Sequence, residues 1–376
     1  MRVYLLLMLV AAAVTYLATP VARLVALRTG AITAIRQRDV HATPTPRLGG
    51  LAILLGMAAA MVLASQMPFL RGVFESSGTA WSILGGATLV ALLGAADDVW
   101  DLDWFTKLMG QVLAAGLMAW QGGVQLWALP IAGQTIYSAQ LSLAATVLTV
   151  VVAINAVNFV DGLDGLAAGL IAIGGAGFFV YTYLLSQEAS PTDYSNVASL
   201  VVAVLVGACL GFLPHNFYPA RIVMGDSGSM VIGLTIAAAA IVVTGQIDPA
   251  VVSERQAIAI PAYLPILLPI AVLVLPLLDM GLAVIRRLVA GTSPFQADRM
   301  HLHHRLLQLG HSHRRSVVIM YLWTALFAFG AAALAAWSTT ATVLGVAAGG
   351  VIALLLTLGP LRGKVRRPSP TRGVRS

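Results

Sequence analysis

The stretch VVAVLVGACLGFL, Val201–Leu213, decides what kind of molecule this is. It carries no charge, and it is one of a series. Apolar runs of about twenty residues recur along the whole chain, the length a helix needs to cross a bilayer. Apolar residues make up 59% of the 376 and charged residues 10%, against about 25% charged in soluble domains. No segment is long and polar enough to form a separate soluble domain. The expected fold is therefore all-α: a polytopic integral membrane protein with one transmembrane domain over residues 1–360. A basic tail, 361–376, follows and is expected to be disordered and drawn to anionic lipid headgroups. The single cysteine, Cys209, lies inside the quoted run, so an internal disulfide and a CxxC metal site are both excluded, and it reads as filler. The first apolar run, Val3 to about Ala18, is preceded by Arg2 alone and reads as an uncleaved first helix.

Eleven helices are expected, beginning near Val3, Leu48, Trp81, Phe105, Leu141, Leu163, Val197, Gly228, Ala257, Val317 and Ala341. The fourth is weakened by Lys107 and Gln111 in its first turns. The ninth holds Pro261, Pro265, Pro269 and Pro276 and is expected to kink or break. Prolines are tolerated there where neighbours satisfy the carbonyls they free. No internal repeat is visible, which argues against a transporter built from inverted repeats.

Alternate loops sort the polar residues. One set, at 20–47, 97–107, 155–164, 214–227, 279–315 and the tail, holds 19 of the 22 Lys and Arg. Excess positive charge marks the cytoplasmic side, so the N-terminus is expected outside and the C-terminus inside. All seven histidines and ten of the fifteen acids fall in the same set. The topology rule does not require that, so chemistry is expected at the cytoplasmic face, at helix ends.

Five segments carry it. GAADDVWDLDWFTKLMGQ (94–111) places Asp97 and Asp98 side by side after an apolar helix, with Lys107 downstream. Paired carboxylates repel unless a cation is near, and hard divalent ions share such oxygens with substrate phosphates. A solvated acidic loop is the alternative, and Asp101 and Asp103 fit it. NAVNFVDGLDGLAAG (155–169) spaces Asn155, Asn158, Asp161 and Asp164 by three, near one helical face, and its glycines permit close approach. Capping of a helix end is the alternative. RIVMGDSGSM (221–230) sets Asp226 in a glycine-flanked turn, where helix capping and metal binding are equally good readings. SPFQADRMHLHHRLLQLGHSHRR (293–315) clusters Arg299, His301, His303, His304 and Arg305. The flanking arginines oppose zinc, and phosphate binding fits better; His311, His313, Arg314 and Arg315 read as a basic loop. RDVHATPTPRLGG (38–50) offers His41 in a proline-stiffened loop, as a substrate contact or a plain connector. No Walker loop and no GxSxG elbow is present, and nothing calls for nucleic acid.

Taken in order, HATPTPRLGG, DDVWDL with Lys107 and Gln111, NAVNFVDGLDGLA, MGDSGS and DRMHLHHRL resemble the polyprenyl-phosphate N-acetylhexosamine-1-phosphate transferases. The HLHHRL motif resembles the GlcNAc-1-phosphate branch, which starts O-antigen, teichoic acid or arabinogalactan linker synthesis. The resemblance implies a multi-pass protein of the bacterial inner membrane that moves GlcNAc-1-phosphate from UDP-GlcNAc to an undecaprenyl or decaprenyl phosphate and releases UMP. It implies Mg2+, with Mn2+ as a substitute, held by Asp226 and Asn158, and Asp97 and Asp98 as the catalytic acidic pair. It assigns Lys107, Asn155, Asp161, Asp164, Arg299, His301, His303, His304, Arg305 and His41 to substrate binding. The lipid bilayer is the surrounding partner, and a homodimer is the assembly it suggests. Many relatives carry Lys where this chain has Asp39. The alternatives are the phospho-MurNAc-pentapeptide transferase of peptidoglycan synthesis and, from another class, an ion-coupled transporter. The latter requires acids deep in a helix, and only Asp279 fits.

Overall fold

A computed structural model describes residues 1–32, 44–75, 78–130, 134–136, 138–188, 194–245, 259–293 and 301–359. Its helices are α1 (Arg2–Thr29), α2 (Gly49–Ser65), the short α3 (Arg71–Glu75), α4 (Thr79–Trp100), α5 (Trp104–Gly122), α6 (Ala139–Val160) and α7 (Leu166–Glu188). They continue with α8 (Tyr194–Asn216), α9 (Gly225–Gly245), α10 (Ala259–Val289), the short α11 (Leu302–Gln308), α12 (His313–Ala336) and α13 (Thr339–Leu358). Between α5 and α6 a small antiparallel hairpin pairs β1 (Ala128–Pro130) with β2 (Gln134–Ile136), an addition to the all-α expectation. All eleven expected helices form within a few residues of their anticipated starts. Nine of the described helices are long and apolar enough to cross a membrane. The other two are α2, at 17 residues, and α5, which carries Lys107 and Gln111. The tail beyond residue 359 and His41 lie outside the described residues.

α9 is the centre of the bundle. Every residue of its most apolar stretch is buried, as expected of a helix that is apolar all round. α2, α4, α6 and α8 pack around it. Small residues let them come close: a side chain on Gly94 of α4 would collide with the backbone of Asp226 and Ser227 at the start of α9. α13 is peripheral and packs on α12.

Helix starts and prolines are handled by specific bonds. α5 begins despite its polar residues because Asp103 accepts the backbone N–H groups of Phe105 and Thr106, both at 3.0 Å. Asp103 is thus an N-cap, not only part of a solvated loop. The proline-rich helix does not break: α10 runs continuously through Pro265, Pro269 and Pro276. Pro269 has no N–H for the carbonyl of residue 265, and the Thr244 hydroxyl of α9 donates to that carbonyl at 2.7 Å. In α1, Pro20 leaves the carbonyl of Tyr16 without its helical donor, and His215 Nε2 lies 3.1 Å from that oxygen. His215 is thereby occupied in helix packing.

Candidate active site

The polar residues of the sequence motifs meet where the C-terminal ends of α4 and α6 reach the N-terminal ends of α5 and α9. The start of α9 organises them. Gly225 adopts a left-handed conformation (φ 71°), and a side chain there would overlap the Asp98 carboxylate. This turn presents the N–H groups of Asp226 and Ser227 to Asp98, which accepts them at 3.0 and 3.2 Å. A helix N-terminus exposes unpaired donors and positive partial charge, and Asp98, buried in the last turn of α4, meets both. Asp98 therefore fixes the position of Asp226 from a different helix.

Asp226 receives two further contacts. Asn158, at the end of α6, donates its amide to Asp226 Oδ1 at 2.9 Å and to Ser229 Oγ at 3.0 Å. Lys107 Nζ lies 3.5 Å from Asp226 Oδ2 and 3.2 Å from Asp97 Oδ2. The other oxygen of Asp97 accepts the Leu102 N–H at 2.8 Å. Asp97 and Asp98, adjacent in sequence, thus face different partners. Asn155 lies one turn deeper, where its amide donates to Gln111 Oε1 at 2.8 Å.

The DGLDG turn supports this floor. Asp161 closes α6 at its C-terminus. Burial, and then the charges of Asp226, Asp98 and Asp164, push its pKa up to about 8. Asp164 is buried and accepts the Ala220 N–H at 2.9 Å, so it also ties down the loop after α8. A side chain on Gly162 would sit 2.5 Å from the imidazole of His303. The space above that glycine is filled by the histidine motif of the same chain.

Two residues to which the sequence assigned no role in the site also bear on it. The TPRLGG segment is latched onto the turn before α9: Val223 N–H donates to Pro46 O, Gly49 N–H to Val223 O and Gly50 N–H to Met224 O. This latch sets Arg47 so that its charge acts on Asp98, Asp161 and Asp226. Arg47 stands in the PRLGG run, but nothing local announces three acids more than fifty residues away. The other is Asp279, treated below.

The histidine motif forms α11. His303 is buried, and its ring lies 4.3 Å from that of His304 and 5.6 Å from that of His301. His301 packs edge-on to Phe159, the neighbour of Asn158, at 5.6 Å. Arg305 is exposed. Arg299 and His41 lie outside the described residues. His311 Nε2 is 2.8 Å from Thr357 O of α13, and His313 and Arg314 pack on Tyr218, so these serve packing. Asp279 is not an isolated deep acid: it contacts His301 and Leu302 at this same end of the bundle.

The donor set suits a hard divalent cation. Asp226 and Asn158, in contact at 2.9 Å, offer oxygen atoms of the kind such an ion takes, while Asp97 faces Lys107. Among the described residues, no group of three or more His, Cys, Asp or Glu is arranged to hold a metal ion alone. A hard ion such as Mg2+ takes one or two protein ligands, with water and substrate phosphate completing its shell.

The model of the family described as Glycosyl transferase family 4 matches residues 80–244. The chain is 46% identical to a decaprenyl-phosphate N-acetylglucosaminephosphotransferase of Mycolicibacterium smegmatis, over 94% of this chain and 87% of the relative. It is 45% identical to a protein of the same name from Mycobacterium tuberculosis, over 94% and 88%. A phospho-N-acetylmuramoyl-pentapeptide-transferase of Desulforudis audaxviator is 29% identical, over 76% and 83%.

Proposed function

The chain belongs to the polyprenyl-phosphate N-acetylglucosamine-1-phosphate transferase family, and we propose that it transfers GlcNAc-1-phosphate from UDP-GlcNAc to decaprenyl phosphate. The reaction takes place at the cytoplasmic face of the bacterial plasma membrane and releases UMP. The observation that carries this reading is the convergence of Asp97, Lys107, Asn158 and Asp226 at one helix junction. Identity supports the donor: relatives named for GlcNAc reach 46%, against 29% for the relative named for the muramoyl pentapeptide. The same relatives' names support decaprenyl phosphate as the acceptor.

Phosphoryl transfer depends on positioning and charge neutralisation more than on covalent catalysis. Lys107, between two carboxylates, supplies a compact positive charge for the donor's diphosphate, and Arg47 adds a second from the facing loop. Asp226 and Asn158 would hold Mg2+ or Mn2+, which when bound neutralises diphosphate charge and polarises the phosphorus. An oxygen of the acceptor's phosphate attacks the sugar-bearing phosphorus. The new P–O bond forms as the bond to the bridging oxygen breaks, and UMP leaves with that oxygen. A phosphate monoester is already anionic at neutral pH, so the attack needs no general base. Asp97 then acts by holding Lys107, and Asp98 by holding Asp226.

The test is UMP release by the protein purified in detergent, with decaprenyl phosphate and UDP-GlcNAc. EDTA is expected to abolish release, added Mg2+ to restore it, and Asp226→Ala to be inactive. Release from UDP-MurNAc-pentapeptide but not from UDP-GlcNAc would overturn the donor assignment.

A further inference from the structure

Asp279 is a buried acid that the proposed mechanism leaves unused. It lies in α10 with 1% of its surface exposed. Both of its oxygens are engaged by the histidine segment: Oδ1 accepts the Leu302 N–H at 2.7 Å, and Oδ2 lies 3.0 Å from His301 Nδ1. A carboxylate that accepts at both oxygens requires the ring proton of His301 on Nδ1. Nε2 is left as the nitrogen that can meet a ligand. As a lone pair it accepts from a sugar hydroxyl. The ring is also fixed in place. Its edge packs on Phe159, whose face is covered by the Arg287 guanidinium of α10 at 5.3 Å. Phe159 follows Asn158 directly. α10 therefore sets where His301 stands relative to Asn158 and Asp226, although α10 itself supplies no group to that junction.

We propose that Asp279 is a positioning residue of the transfer reaction, holding His301 in the Nδ1–H form so that its Nε2 meets the nucleotide sugar. The inference rests on the transferase reading, so it is tested in two independent ways. In the first, kcat and KM for UDP-GlcNAc are measured for Asp279→Asn, His301→Gln and the double variant. Asp279→Asn can still accept the Leu302 N–H but cannot accept from His301 at the same time without reorienting. Its kcat/KM is expected to fall about 10- to 100-fold, the range seen when a supporting partner is lost. The double variant should be no worse than His301→Gln, because one interaction is removed twice. Multiplied losses, or Asp279→Asn within about twofold of wild type, would overturn the proposal. The second test needs neither turnover nor an Asp279 variant. It is the 15N spectrum of histidine-labelled wild-type protein, with the His301 signal identified by its loss in His301→Gln. A ring protonated at Nδ1 is expected, and a ring protonated at Nε2 alone would overturn the proposal even if the enzyme turns over UDP-GlcNAc. Failure of wild type to release UMP, with the expected spectrum, would sink the transferase reading and leave the Asp279–His301 pairing standing.

Discussion

Two adjacent carboxylates at the end of α4 do different work. Asp98 accepts two backbone N–H groups of α9, whereas Asp97 accepts one from Leu102 and faces Lys107. Replacing each by Asn separates the roles. An Asn at 98 turns its NH2 toward one of the two N–H donors, which costs about 2 kcal/mol of stability and releases Asp226. An Asn at 97 keeps an acceptor for Leu102 and loses the one facing Lys107, whose ammonium is partly exposed and keeps Asp226 as a partner. Thermal unfolding should show a clear drop for Asp98→Asn and little change for Asp97→Asn, with UMP release impaired in both. Equal thermal shifts would contradict the division. His303 makes a second residue-scale prediction. Burial, then the charge of His304, push its pKa down to about 3 from an ordinary 6.5. The native chain then binds fewer protons than the unfolded chain between these values. Its contribution is complete above about pH 6.5 and is lost as pH falls toward 3, by at most about 1.4 kcal/mol per unit. Unfolding followed from pH 7 to 5 should show this loss, and His303→Asn should flatten that part of the profile.

Among the elements, α10 shows what keeps a proline-rich helix whole. Thr244 of α9 supplies the donor that Pro269 cannot. Thr244→Val should cost about 1 kcal/mol. In a Pro269→Ala background, where residue 269 regains its N–H, the same change should cost much less. Equal costs in both backgrounds, read by thermal unfolding, would contradict the account. The elements are also where sequence and structure can be compared most closely. Apolar runs such as Val201–Leu213 mark each long helix because burial in lipid or protein demands them. The start of α9 falls at Gly225, not near Gly228, because its cap, Asp98, comes from another helix and leaves no local mark. α5 forms on the strength of Asp103, whose capping role was hidden by the surrounding acids. The motifs named Asp97, Asp98, Lys107, Asn158 and Asp226 as one group, and they do meet. They did not show that Asp164 binds Ala220, that His303 fills the space over Gly162, that Arg47 acts on the acids of the site, or that Asp279 binds His301. Those facts depend on contacts between segments far apart in the chain.

Across the whole molecule, a central apolar helix carries one acid at its tip, and the surrounding helices bring the remaining polar groups to that tip. The arrangement confines the chemistry to one end of the bundle, where a water-soluble donor and a lipid-held acceptor can both arrive. This chemistry is defined by which bond breaks. The most direct measurement uses UDP-GlcNAc labelled with 32P in the phosphate next to the sugar, incubated with the purified protein, decaprenyl phosphate and Mg2+, then partitioned between organic solvent and water. The account predicts that the label moves into the lipid fraction and that unlabelled UMP appears in the water. Label remaining in the water as UDP, with sugar alone on the lipid, would contradict it.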